Sequence, residues 1–120
     1  MSEHTFNGRD CLHFIDGRYM PSLDGRQFNN INPATNEVIG TVAEGGKEEI
    51  DLAVQAARKA LNGPWKTITA HDRAAILRKI GDLILERKDE LARLESLDTG
   101  KPLWLSSSVD IPRAAYNFHF

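Results

Sequence analysis

The residues best equipped for chemistry in this sequence gather in LDTGKPLWLSSSVDIPR, positions 97–113. An aspartate, a glycine and a lysine share one corner, and three serines and a lone arginine follow. By type alone, Asp98 caps the turn at Thr99-Gly100, because a short carboxylate bonds nearby backbone amides, and Arg113 is a solubilising surface cation. Cys11 would be a nucleophile only with a base and an electropositive setting around it. In the polar stretch MSEHTFNGRDC it reads as an inert thiol. His4, His13, His71 and His119 have no metal-ligand spacing with one another or with Cys11, so structural or solvent roles fit each. GTVAEGGKEE comes near a phosphate loop, but its glycine-to-GK spacing is one residue too long and Glu48 stands where a Ser or Thr would hold magnesium. No G-x-G-x-x-G follows a strand pattern, so the usual pyrophosphate cradle is missing as well. Spacing alone yields no catalytic constellation.

The elements that must position these residues run from strands to helices. HFIDGRYM predicts a β-hairpin, since Asp16-Gly17 accepts the positive φ of a tight two-residue turn. QFNNI (27–31) and EVIGTV (37–42) predict a second antiparallel pair, joined through Asn32, Pro33, Ala34, Thr35 and Asn36. Gly45-Gly46 breaks the strand, and the apolar period then becomes helical: Ile50, Ala53, Val54, Ala57 and Leu61, ended by Gly63-Pro64. Acids early in this helix and Arg58 and Lys59 late in it suit the helix dipole. Thr69 is the expected cap of a second helix through the amide of Asp72, with Ile76, Leu77, Ile80, Leu83 and Ile84 as its buried stripe. Leu91, Leu94 and Leu97 mark a third short helix that Gly100 closes in a left-handed conformation before Pro102. A fourth is expected from about Ser106 to the end, with Ser106, Ser107 and Ser108 capping its start and Pro112 in its early turns.

Composition bounds the rest. A chain of 120 residues can bury a core of its own, and 41% hydrophobic with 27% charged residues is ordinary globular composition. A formal net charge of −2 offers no footprint for nucleic acid or an anionic membrane. No apolar run approaches the roughly 20 residues needed to span a bilayer. The polar N-terminus lacks a secretory signal, and a single cysteine excludes an internal disulfide. A cytoplasmic location is the expectation.

NPATNEVIGTVAEGGKEEIDLAVQAARKA, Trp65, RAAILRKIGDLI and ELARLESLDTGKP together resemble, in order and over positions 14–120, the N-terminal part of the aldehyde dehydrogenase superfamily. The combination of N-P-A-T-x-E-V-I with E-x-L-D-T-G-K-P is specific, whereas either piece alone is weak. SSSVDIPRAAYNFHF is similar to the branch that oxidises 2-hydroxymuconic, 2-aminomuconic and 5-carboxymethyl-2-hydroxymuconic semialdehydes.

The resemblance implies an α/β fold, in which β-hairpins and about four helices form the edge of a Rossmann-like cofactor-binding domain. It implies a homo-oligomeric parent that oxidises a small-molecule aldehyde through a cysteine thiohemiacetal, with NAD or NADP (NAD favoured) taking the hydride. The family's cysteine, glutamate, asparagine and glycine motif would lie beyond residue 120, and Cys11 does not match that nucleophile. Positions 1–12 are then a flexible arm and 13–120 a truncated cofactor domain, inactive by itself. Two features carry over by position. Backbone carbonyls of Asn30 and Ile31 with the carboxylate of Asp98 correspond to a monovalent cation site for Na⁺ or K⁺. Arg113 falls where the family's aldehyde entrance is lined and would face the distal carboxylate of a muconic substrate, a task for which a planar guanidinium is suited. The rival expectation is a non-catalytic interaction or assembly module derived from the same sequence.

Overall fold

A computed structural model describes residues 10–120. Positions 1–9, which hold His4 and most of the expected arm, lie outside the described residues. The chain forms two compact units, one running up to Ile31 and resuming over Asn36–Thr67, the other comprising Asn32–Thr35 and Ile68–Phe120.

The first unit contains β1 (Asp10–Cys11), β2 (His13–Ile15), β3 (Arg18–Met20), β4 (Gln27–Ile31), β5 (Val38–Ala43) and α1 (Lys47–Asn62), followed by a short 3₁₀ turn over Pro64–Lys66. The expected hairpin is β2–β3, with Phe14 opposite Tyr19 and their rings 5.0 Å apart. Asp16 and Gly17 both take positive φ, 50° and 78°, which matches the right-handed twist of the flanking strands. β4 and β5 pair antiparallel as expected, and β5 begins one residue later than the pattern suggests because Asn36, at φ 60°, still belongs to the turn. β1 pairs in parallel with β5, giving the order β1-β5-β4. This pairing was not foreseen, because two residues are too few to show alternation.

α1 follows the periodicity, yet its apolar row is not buried: Ile50 and Leu61 are each 61% exposed. The face turned toward the β2–β3 hairpin carries Leu52, Gln55, Ala56 and Lys59 instead.

The second unit is helical, with α2 (Ala70–Glu86), α3 (Lys88–Thr99), α4 (Leu103–Leu105) and α5 (Ile111–His119), the last two joined by a π turn over Ser106–Asp110. Thr69 caps α2 as expected: its hydroxyl accepts from the Asp72 amide at 3.1 Å, and the Asp72 carboxylate accepts in return from the Thr69 amide at 3.4 Å. The expected apolar stripe of α2 is only partly covered by the described residues. Ile76, Leu77 and Leu83 are exposed, and only Ile80 and Ile84 are half-buried. What α2 buries is Gly81, packed beneath α5 where Ala115 is 1% exposed. A Cβ at position 81 would stand 2.4 Å from the His119 ring and 3.0 Å from the Ala115 carbonyl oxygen. A bare backbone is therefore what allows the two helices to cross so closely.

The last helix is also corrected. It starts at Leu103, directly after Pro102, and the three serines do not cap it. They lie inside the π turn, where the Ile111 amide bonds the Ser106 carbonyl five residues back. Pro112 supplies the physical reason. In a regular α-helix its ring would collide with the carbonyl four residues earlier, and it has no amide hydrogen to offer that oxygen. A wider turn just ahead of the proline relieves both problems.

Candidate functional site

The corner flagged by its residue types is formed at the C-terminal end of α3. The Thr99 hydroxyl donates to the Glu95 carbonyl at 2.6 Å. Gly100 then closes the helix at φ 74°, ψ 6°, its amide bonding Ser96 O at 3.0 Å. Any side chain here would be strained by the positive φ, and its Cβ would meet Pro33 Cγ at 3.0 Å. Beyond the reversal, Lys101 Nζ donates to Glu95 Oε1 on α3 at 2.9 Å and to Asp110 Oδ2 at the end of the π turn at 3.0 Å. These bonds, Glu95 first and Asp110 second, hold the ammonium pKa above the ordinary lysine value. A second tie lies beside them: the hydroxyls of Ser96 and the fully buried Ser106 meet at 3.0 Å.

Arg113 sits in the first turn of α5, just after Pro112. It is exposed, and among the described residues no hydrogen bond or ion pair engages its guanidinium. The cation in this stretch that is engaged is Lys101, which the sequence reading passed over.

The residues expected to hold a monovalent cation are distributed over both units. Asn30 and Ile31 end β4 at a bulge: Asn30 faces Gly40 while Ile31 faces Val38, leaving Ile39 as the extra residue of β5. Such a bulge redirects backbone groups locally, and nothing in the strand's residue types signals it. Asp98 is exposed near the end of α3.

The first unit contains a polar corner that sequence reasoning missed. Glu49, 5% exposed, accepts from the Leu23 amide at 2.7 Å and the Gly46 amide at 2.8 Å. Those amides, Leu23 foremost, keep its carboxyl below the usual glutamate range. Ser22, also 5% exposed, has its hydroxyl 2.6 Å from the Glu44 carbonyl, 2.9 Å from Asp24 Oδ1 and 3.3 Å from Glu49 Oε1. The hydroxyl thus lies within reach of one carbonyl and two carboxylates. Asp24 accepts from the Arg26 amide and guanidinium and is lowered to about 2. The available signal was Glu49 itself, three residues into a helix that follows a glycine, where a carboxylate folds back onto the cap amide.

That carboxylate also bears on cofactor binding. Among the described residues, the N-terminus of α1 is the place where a strand leads through paired glycines into a helix, yet its cap amide is already bonded to Glu49. Gly45 lies against the His13 ring, which a Cβ would approach to 3.0 Å. The described residues therefore do not fit a dinucleotide pyrophosphate. No group of three or more His, Cys, Asp or Glu among them could hold a metal ion, and no helix among them is long and apolar enough to cross a membrane. Cys11 is exposed on β1. An open cavity of about 510 Å³ lies between the β2–β3 hairpin and α1, with Ile15, Met20 and Leu52 as its apolar wall and Arg18 and the Lys59–Asp16 pair at its polar edge.

Comparison with known proteins brings the two units under one description. The model of the aldehyde dehydrogenase family matches residues 19–120. The 2-hydroxymuconic semialdehyde dehydrogenase of Pseudomonas sp. (strain CF600) is 49% identical over 110 residues, covering 92% of this chain and 23% of that protein. Among solved structures, HpcC from Thermus thermophilus superposes with a TM-score of 0.88 at 43% identity, over 93% of this chain and 21% of that one. An NAD⁺ complex of an aldehyde dehydrogenase from Bacillus cereus gives 0.91 at 40% identity, over 95% and 23%. The chain thus spans somewhat under a quarter of the length of the relatives it matches.

Proposed function

The chain belongs to the aldehyde dehydrogenase family, and from that premise we propose that the whole protein oxidises a muconic-type semialdehyde to the corresponding dicarboxylate with NAD(P)⁺, Arg113 holding the carboxylate remote from the reacting carbonyl. The observation that carries this reading is the guanidinium of Arg113, exposed at the start of α5 and unengaged among the described residues. A cation with no partner among the described residues is available to an external anion, and the planar fork of arginine suits a carboxylate. The identity to a 2-hydroxymuconic semialdehyde dehydrogenase supports the same substrate class. Contacts to the nicotinamide cofactor come from outside the described residues, so this chain's own contribution is scaffold and substrate placement.

The test is substrate discrimination in the complete protein. A charge-assisted pair contributes about 1.5–3 kcal/mol, so Arg113→Ala lowers kcat/KM for a carboxylate-bearing semialdehyde roughly tenfold to a hundredfold. A neutral aldehyde of similar size loses little, and Arg113→Lys restores only part, because lysine keeps the charge without the fork. Equal losses for the charged and neutral substrates would make Arg113 a structural residue and remove the muconic assignment.

A further inference from the structure

Both ends of the π turn are tied to neighbouring residues of α3. At its first residue, Ser106 meets Ser96 through their hydroxyls; at its last, Asp110 is joined to Glu95 through the ammonium of Lys101. We infer that Lys101 is a positioning residue whose clamp on the π turn sets the direction in which Arg113 faces, and so governs discrimination for charged aldehydes. This rests on the role proposed above for Arg113.

The argument is geometric. A π turn takes one more residue than the α turn it replaces, and each residue of a helix advances about 100° around the axis. If residues 106–110 relaxed to regular α geometry, the first turn of α5 would be driven toward that rotation relative to α3, against the seat of Ala115 over Gly81 further along the helix. Among the described residues Arg113 has no hydrogen-bond or ion-pair partner to correct such a rotation. Its direction follows from the register of the turn three residues before it together with the seat of α5 on α2, which begins two residues after it at Ala115. Pro112 opposes a regular helix locally, but it does not tie the turn to α3; Lys101 and the Ser96–Ser106 pair do. The two carboxylates that share Lys101 would repel without it, so its removal both breaks the tie and pushes Asp110 away from Glu95. Partly exposed ion pairs contribute little to global stability, and the side chains of Lys101, Glu95 and Asp110 are 40%, 34% and 32% exposed. A local consequence is therefore expected more than unfolding.

The experiment compares Lys101→Met, Lys101→Arg, Asp110→Asn and Arg113→Ala in the complete protein, each with a carboxylate-bearing and a neutral aldehyde of similar size. Lys101→Met raises KM for the charged aldehyde about tenfold while kcat changes less than about threefold, cutting discrimination between the two substrates about tenfold. Lys101→Arg, able to reach both carboxylates, recovers most of it, and Asp110→Asn reproduces the defect. Lys101→Met combined with Arg113→Ala is no worse than Arg113→Ala alone, because the first change acts only through the second residue. Amide hydrogen exchange over residues 106–113 accelerates in Lys101→Met. Unchanged exchange, or losses that multiply in the double variant, would overturn the inference even where Arg113→Ala behaves as proposed. If Arg113→Ala affects both substrates equally, the reading of Arg113 fails first and the inference falls with it.

Discussion

The two units solve the same problem with opposite means. The first has strands too short to bury much apolar surface and centres on a carboxylate: Glu49 and Ser22, each 5% exposed, satisfy the amides of Leu23 and Gly46 and the carbonyl of Glu44. The second centres on small side chains, with Gly81, Ala92, Ser106 and Ala115 letting helices touch backbone to backbone. Neither buries its large apolar residues: Phe14 and Leu61 remain open in one, Trp104 and Tyr116 in the other. Polar satisfaction tolerates volume but not loss of a partner, whereas close helix contact tolerates neither an added methyl nor a shifted ring.

Two glycines test that contrast most severely. Replacing Gly81 by leucine puts atoms where the His119 ring and the Ala115 carbonyl already are, and overpacking of this kind costs about 1–3 kcal/mol. Alanine costs less but still destabilises, although helix propensity alone favours it by about 1 kcal/mol. At Gly46, the cap of α1, an added Cβ meets the Arg26 and Glu49 side chains at 3.4 Å, an ordinary contact, so Gly46→Ala costs only about 0.5 kcal/mol through a poorer cap. Urea titrations of the three variants measure the gap. Equal sensitivity at positions 46 and 81 would break the comparison.

A smaller effect separates the units by pH. The folded carboxyls of Asp24 and Glu49 lie below their ordinary values of 3.8 and 4.5, Asp24 at about 2. Their contribution is present above those ordinary values and is lost as pH falls through the lowered ones. The Lys101 ammonium is shifted upward from 10.5, so its contribution is present below that value and fades as pH rises through the raised one. Glu90 of the second unit is lowered as well by Arg87, but as an exposed i,i+3 pair it contributes little. Backbone amide spectra should therefore lose the Leu23 and Gly46 signals first on acidification between about pH 4.5 and 2, and those around Ser106 first in strong alkali. Glu49→Gln removes most of the acid dependence. Acid loss that is uniform across both units, or unaltered in Glu49→Gln, would run against the assignment.

Much of this architecture was legible where a residue type admits one local conformation. Asp16-Gly17 announced its hairpin, Thr69 and Asp72 their capping box, and Gly100 its left-handed end. The failures occurred where the outcome depends on a neighbour distant in sequence. The α2 row of isoleucines and leucines marks an apolar face, but the face the described residues cover is chosen by where Gly81 allows α5 to approach. The π turn was signalled by Pro112, yet the signal says only that a regular helix is disfavoured. For the site, Arg113 and Asp98 were visible as residue types at a corner, while Lys101 acquires its role only once Glu95 and Asp110 are brought to one nitrogen. Glu49 looked like one acid among several in a first turn.

The parallel pairing of β1 with β5 carries a consequence for the order in which the sheet assembles. β4 and β5 join across a short turn, but Asp10 must find Thr41, 31 residues away, with the β2–β3 hairpin already lying between them. Closing that longer loop costs more chain entropy and is repaid by a two-residue ladder and one hydroxyl–carboxylate bond of 2.6 Å. During synthesis β1 leaves the ribosome well before its partner, so it waits unpaired while the rest of the sheet forms behind it. Its two-residue ladder is the shortest attachment in the sheet, and while it holds, β1 covers the edge of β5 that would otherwise be open to pairing with another chain.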